Sequence, residues 1–218
     1  MDILDIIGPI MVGPSSSHTA GAVRIGLVAR KLLGSTPVRA ELYLHGSFAA
    51  TGRGHGTDMA LIAGLLGFAP DDERIPQSFE YAKKAGLEFL FDTIQLRDAH
   101  PNSVLIKACD AGGHSIEVVG ASIGGGRIEI REFAGMKLRF SADGPTLIVQ
   151  NRDFPGSVAD VSYILSRLNI NIATFQVTRN SRGGTAVMVI ECDAPIEPDV
   201  IERIESMPGI IRAVGLNP

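Results

Sequence analysis

Thr146-Leu147-Ile148-Val149-Gln150 runs straight into Asn151-Arg152-Asp153-Phe154-Pro155-Gly156, a short apolar run followed by a polar loop that ends in Pro-Gly. The run reads as a buried strand. Pro155-Gly156 turns the chain tightly and leaves backbone amides exposed where the next helix starts. Downstream the pattern is crisp: a helix over 157–168, a strand over 171–178, a turn at Ser181-Arg182-Gly183-Gly184, a strand over 185–191, a helix over 198–207 and a strand over 210–215. That is β-α-β-β-α-β in about 70 residues, the split βαβ plan, in which a four-stranded antiparallel sheet carries both helices on one face. The other sheet face needs a cover, so dimerisation through this domain is the expectation.

Ser141-Ala142-Asp143-Gly144-Pro145 breaks the pattern upstream and separates this tail, residues 146–218, from a first domain over residues 1–140. The second half of that domain is strand-rich, with strands expected over 87–96, 103–110, 115–119, 127–133 and 137–140. His100 and His114 fall in the turns between them, and Gly124-Gly125-Gly126 marks either a hairpin or a close approach of backbone to ligand. The first half reads as a short helix or turn over 3–12, a helix over 20–33 closed by Gly34, and an alternating strand over 38–46 that ends near His45. A glycine-rich loop, Gly52 to Asp58, comes next, and then a helix over 59–66 closed by Gly67. The fold class is therefore α+β, an N-terminal α/β domain followed by a ferredoxin-like βαββαβ domain.

Composition narrows the function. The net charge of -4, from 20 basic and 24 acidic residues, gives no electrostatic footprint for nucleic acid or an anionic membrane. Nothing approaches the roughly 20 apolar residues of a membrane span, and Asp2 and Asp5 stand where a signal peptide needs basic residues, so a cytoplasmic location is expected. Cys109 and Cys192 are the only cysteines, each alone in a strand-like segment. Neither a disulfide framework nor a metal site follows from them, and two thiols are too few for an iron-sulfur cluster, which usually takes three or four.

The chemistry-bearing stretch is Gly13-Pro14-Ser15-Ser16-Ser17-His18-Thr19, immediately before a long helical pattern. Its hydroxyls sit where helix amides are unpaired and the dipole is positive, which suits either a simple N-cap or a bound carboxylate. The dipole also biases His18 toward the neutral, proton-accepting form. A second glycine-flanked imidazole, His55, lies in the stretch Gly52-Arg53-Gly54-His55-Gly56-Thr57-Asp58, where Thr57 and Asp58 can cap the following helix. The glycine spacing there is not the dinucleotide fingerprint, and no lysine follows to make a phosphate loop.

The tail resembles an ACT domain, the amino-acid-sensing regulatory module, through Asn151 to Gly156 and through Leu168-Asn169-Ile170-Asn171-Ile172. The resemblance implies an effector site at Asn151, Asp153, Pro155, Gly156 and Asn171, or else a surface used only for dimerisation. The head is similar to the substrate-binding domain of bacterial iron-sulfur L-serine dehydratases, through Gly13 to Thr19, Leu44-His45-Gly46-Ser47 and Gly54-His55-Gly56-Thr57-Asp58. Together the two halves resemble the beta subunit of the two-subunit form. That resemblance implies a carbon-nitrogen lyase that deaminates L-serine to pyruvate and ammonia with an alpha subunit holding a [4Fe-4S] cluster; this chain ligates no metal. It implies catalytic roles for His18 and His55 and leaves open which is the base. Ser15, Ser16, Ser17 and Thr19 would hold the substrate carboxylate, with Thr57 beside them and Asp58 orienting His55 or the substrate ammonium. The rival is a serine-binding regulatory protein of the phosphoglycerate dehydrogenase type, in which a related domain also precedes an ACT module.

Overall fold

The computed structural model describes residues 10–217, apart from the side chain of Arg53. Most of the helix or turn expected over 3–12 lies outside them. The chain divides into two compact units, Met1–Ala134 and Gly135–Pro218.

In the first unit a wide π-type turn, Ser16–Ala20, leads into α1 (Gly21–Leu33). Helix α1 is packed on most of its surface, with Val23, Ile25, Ala29, Leu32 and Leu33 all buried, which is why its apolar residues spill over more than one stripe. Strand β1 (Arg39–His45) is followed by α2 (Gly46–His55), α3 (Thr57–Leu66), α4 (Ser78–Ala85) and β2 (Glu88–Thr93). β1 and β2 are parallel, an arrangement that needs the long helical crossover these elements supply. Strands β3 (Asn102–Cys109), β4 (Ser115–Gly124) and β5 (Arg127–Phe133) then run antiparallel, giving the strand order β2-β1-β3-β4-β5. Gly124 to Gly126 make the β4–β5 hairpin. One sheet face, through Leu42, Ile106, Val118 and Ile130, is buried against the helices, and Ile25 of α1 sits directly over Gly120. On the opposite face Glu41 accepts from Arg39 and Tyr43, and Lys107 pairs with Glu117, beside the buried Leu105 and Val119.

Helices α1 and α3 cross at glycines. A Cβ on Gly64 would meet the carbonyl oxygen of Val23 and come within 2.7 Å of Leu27 N; one on Gly26 would meet Leu61 O and lie 3.0 Å from the Gly64 Cα. The two backbones therefore touch, as small residues at a helix crossing allow.

Two features differ from the sequence expectation. Gly52 to His55 is not a loop but the last turn of α2. Glycine lowers helix propensity, yet α2 is held from its start by Ser47 N donating to Pro101 O at 2.7 Å and by Phe48, fully buried beneath it. The break between helices shrinks to Gly56 alone, at φ 68, a left-handed conformation that glycine adopts without penalty. Second, neither Thr57 nor Asp58 is the helix cap. Gly56 stands at that position with no side-chain bond, and Asp58 Oδ1 accepts from its neighbour Met59 N at 2.9 Å.

The second unit contains β6 (Met136–Phe140), β7 (Thr146–Arg152), α5 (Ser157–Arg167), β8 (Ile172–Arg179), β9 (Thr185–Cys192), α6 (Pro198–Glu205) and β10 (Ile210–Leu216). Its sheet has the antiparallel order β10-β7-β9-β8, the expected βαββαβ plan. Leu147, Val149, Met188 and Ile190 face Val161 and Leu165 of α5 and Val200 and Ile204 of α6 in one core. The other sheet face is not bare: Ile148, Val187 and Val189 are at most 2% exposed. Strand β6 contributes there, since Arg139 N donates at 3.2 Å to Gln176, whose register partner is Val189. Ile148, Val187 and Val189 on that face are thus already buried in the single chain. Among the described residues, no helix is long and apolar enough to cross a membrane.

Candidate active site

The π-type turn and α2 build one site in the first unit. Ser15 organises the turn, its Oγ accepting from His18 N at 3.1 Å and its carbonyl from Thr19 N at 2.8 Å. The widened turn carries the His18 ring onto α2. There His18 Nε2 lies 3.0 Å from Ser47 Oγ and 3.1 Å from Thr51 Oγ1, with the Phe48 ring edge-on at 5.3 Å. Ser47, Thr51 and His55 follow one another at four-residue spacing and so share one face of α2. Their stripe brings the His55 ring to 5.0 Å from the His18 ring, centroid to centroid. His55 Nδ1 is 3.2 Å from the carbonyl oxygen of Thr51, and Thr19 Oγ1 donates to the His55 carbonyl at 3.2 Å, tying the turn to the helix end.

The electrostatics favour the neutral form of His18. Its pKa is held below the ordinary imidazole value, chiefly by burial and then by the neighbouring His55, against an opposing hydrogen bond to Ser47. Two half-buried imidazoles this close disfavour double protonation, and a neutral imidazole can accept a proton.

This depression has a measurable consequence. Below pH 6.5, the ordinary imidazole value, the unfolded chain binds a proton at His18 that the folded chain still refuses. Stability is therefore expected to fall as pH drops from 6.5 toward the folded-state value. His100, lowered mainly by burial, adds a slope of the same sign. Urea midpoints between pH 5 and 7.5 should show a shallower acid slope for His18→Gln than for the parent; equal slopes would mean His18 titrates normally.

The structure brings His18, His55, Ser15 and Thr19 together and separates the remainder. Ser16 and Ser17 stand half-buried on the same turn. Thr19 is 2% exposed, with its hydroxyl committed to His55, so it is a tie rather than a free ligand group. Thr57, expected on the substrate side, is 0% exposed and its Oγ1 has no partner among the described residues; it belongs to the core. Asp58 makes no hydrogen bond to His55 among the described residues. It lines a groove of about 640 Å³ with Leu44, Phe48, Ala50, Phe79 and Phe91, whose lining includes neither histidine. His45 holds the β2–β3 connection, its Nδ1 at 3.2 Å from both Ile94 O and Leu96 N. Ser47 and Thr51 are the contacts that sequence reading did not assign. The signal was their spacing to His55, invisible while that stretch read as a loop.

The chain's own donors do not fit an iron-sulfur cluster. Cys109 ends β3, Cys192 is buried in the core of the second unit with its thiol pKa pushed up by that burial, and no group of three or more His, Cys, Asp or Glu stands together among the described residues.

In the second unit, the Asn151 to Gly156 loop is braced. Asp153 Oδ2 accepts from Gly183 N at 2.9 Å and Arg179 Nη1 at 3.0 Å, and those bonds hold its carboxyl below the usual range. Asn151 is buried, donating from Nδ2 to Arg152 O while its Oδ1 lacks a partner among the described residues. Pro155 is exposed and Gly156, at φ 102, opens α5 without a side-chain cap. Asn171 is elsewhere: it donates to Asp193 at 2.6 Å beyond the far end of β9, so the structure does not bring it to the loop. Asp153→Ala is expected to raise amide exchange at Gly183 about tenfold relative to the parent, and an unchanged rate would show that the bond does not hold the hairpin.

Comparison with known proteins follows the same division. Residues 2–87 match the family described as serine dehydratase beta chain, and residues 146–209 match the ACT domain. The chain is 43% identical over 210 residues to a probable L-serine dehydratase, beta chain, of Bacillus subtilis (strain 168), covering 96% of this chain and 95% of that one. It is 42% identical over 193 residues to the L-serine dehydratase, beta chain, of Peptoniphilus asaccharolyticus, covering 88% and 87%. A D-3-phosphoglycerate dehydrogenase of Methanocaldococcus jannaschii is 32% identical over 120 residues, which is 55% of this chain but 22% of that enzyme.

Proposed function

The chain belongs to the serine dehydratase beta chain family, and from that premise we propose that it supplies the substrate-handling part of an L-serine dehydratase completed by an alpha chain. The observation that carries this reading is the pair of imidazoles, His18 and His55, 5.0 Å apart on two elements tied by Thr19. Holding a carboxylate needs hydroxyls and amides but no proton acceptor; a pair of histidines is what an elimination asks for.

In this reading one imidazole removes the Cα proton of L-serine, the released electron pair forms the Cα–Cβ double bond, and the β-hydroxyl departs and takes up a proton to leave as water. The resulting aminoacrylate tautomerises and hydrolyses to pyruvate and ammonia without further help. Ser16 and Ser17, on the turn that delivers His18, receive the substrate carboxylate; Ser15 and Thr19 fix the shape of that turn. The [4Fe-4S] cluster belongs to the alpha chain, because Cys109 and Cys192 cannot assemble one here. Residues 1–140 act as the substrate domain and 146–218 as the regulatory ACT domain, with its effector at the loop of Asn151, Asp153, Pro155 and Gly156. The regulatory-protein alternative has less support, since the phosphoglycerate dehydrogenase matches are 27–32% identical and take in at most 34% of those enzymes, while the dehydratase beta chains are 42–43% identical and match along 87–95% of their own length.

An anaerobic assay of pyruvate release from L-serine tests the proposal, using this chain alone, the cluster-loaded alpha chain alone, and the two mixed. Activity is expected only in the mixture. Equal activity from the alpha chain alone would overturn it.

A further inference from the structure

We propose that Thr51 is a positioning residue that fixes the tautomers of both histidines, so that His18 offers Nδ1 and His55 offers Nε2 as the proton-accepting nitrogen. The inference rests on the catalytic reading of the two histidines and adds which atom of each takes part.

Thr51 has one hydroxyl proton. Its Oγ1 donates that proton to the carbonyl oxygen of Ser47, one turn earlier, at 2.9 Å, a back-bond that threonine makes readily inside a helix. What Oγ1 then presents to His18 Nε2, 3.1 Å away, is a lone pair. A nitrogen lone pair aimed at that oxygen would be repelled, so Nε2 carries the hydrogen and donates. Ser47 Oγ, 3.0 Å from the same nitrogen and 3.4 Å from Thr51 Oγ1, is free to rotate and accepts as well. With Nε2 protonated, the acceptor of neutral His18 is Nδ1.

The same residue sets His55 through its main chain. The Thr51 carbonyl oxygen can only accept, and it lies 3.2 Å from His55 Nδ1, so that nitrogen carries the hydrogen and Nε2 is left as the acceptor. Opposite nitrogens of two adjacent rings are thereby exposed by one threonine. The carbonyl contact survives any side-chain change, whereas the hydroxyl contact does not, which makes His18 the experimentally addressable half.

The test is nitrogen NMR of the full chain labelled at histidine, which distinguishes protonated from unprotonated ring nitrogens at each site. The parent should show His18 as Nε2–H and His55 as Nδ1–H. In Thr51→Val the Ser47 hydroxyl becomes the only partner at His18 Nε2 and can donate to it, so His18 should move toward Nδ1–H while His55 is unchanged; Thr51→Ser should restore the parent pattern. Valine matches threonine in shape and Thr51 is exposed, so the fold is expected to persist. In the assembled enzyme, Thr51→Val should lower kcat about tenfold to a hundredfold with KM for L-serine nearly unchanged. A parent His18 in the Nδ1–H form, or no tautomer change in Thr51→Val, overturns the proposal. A tautomer change with unaltered kcat instead leaves the positioning role intact and removes His18 from the chemistry.

Discussion

Pyruvate release by the assembled enzyme is expected to fall about 10²-fold or more in kcat when His18 is replaced by Ala, with KM for L-serine affected far less. The expectation follows from how the ring is held. His18 is pinned at one nitrogen by Ser47 and Thr51, is packed against Phe48, and is kept neutral by burial and by His55. That is more organisation than carboxylate binding requires, and it is what a general base needs at neutral pH. His55→Ala should cost a comparable factor. The double variant should lose far less than the product of the two single losses, because groups that pass one proton between them act as a unit. Steady-state kinetics with thermal melts on each variant give the answer, and His18→Gln, which fills the space without a basic nitrogen, separates chemistry from packing. A loss confined to KM would remove His18 from the proton-transfer step.

The largest expected effect on folding is at the helix crossing. Gly64→Val should lower stability by about 3 kcal/mol or more, because its Cβ would press on backbone of α1 at Val23, Gly26 and Leu27 rather than on a side chain able to swing away. The strain can be relieved only by moving α1 from α3, and α1 is continuous with the turn bearing His18, so activity should fall with stability. Gly54→Ala is the matching control. A Cβ there meets nothing within 4 Å, and replacing a helical glycine by alanine favours the helix by about 0.5–1 kcal/mol. Denaturant midpoints for the two variants should therefore move in opposite directions. If Gly64→Val unfolded at the parent midpoint, the close approach would not be real.

The tail was legible from its residues because every local signal agreed: an apolar run, Pro155-Gly156, two amphipathic helices and a Gly-Gly turn all fit one plan. What the pattern did not reveal was the cover over Ile148, Val187 and Val189, since the segment that contributes to it, Met136–Phe140, lies on the far side of a Gly-Pro break from that sheet. In the head, His18 and His55 were visible as residues, but their partners were not. Gly46, Gly52, Gly54 and Gly56 crowd α2, and glycine content argues for a loop; the helix forms because Phe48 is buried and Ser47 is held by Pro101, a partner far away in sequence. Once the helix is granted, Ser47, Thr51 and His55 line up by arithmetic alone. Thr57, which the resemblance put on the substrate side, is enclosed as the first residue of α3.

The stripe on α2 also sets what kind of change the site can absorb. Each residue of an α-helix turns the chain by about 100°, so the register of Ser47, Thr51 and His55 depends on the number of residues between them more than on their identity. Ala49, Ala50 and Gly54 are exposed and should accept substitution. One residue inserted or deleted between Ser47 and His55 would swing part of the stripe away from His18 even if every surviving side chain were unaltered, so the exposed positions off the stripe of this ten-residue helix should drift in composition while its length stays fixed.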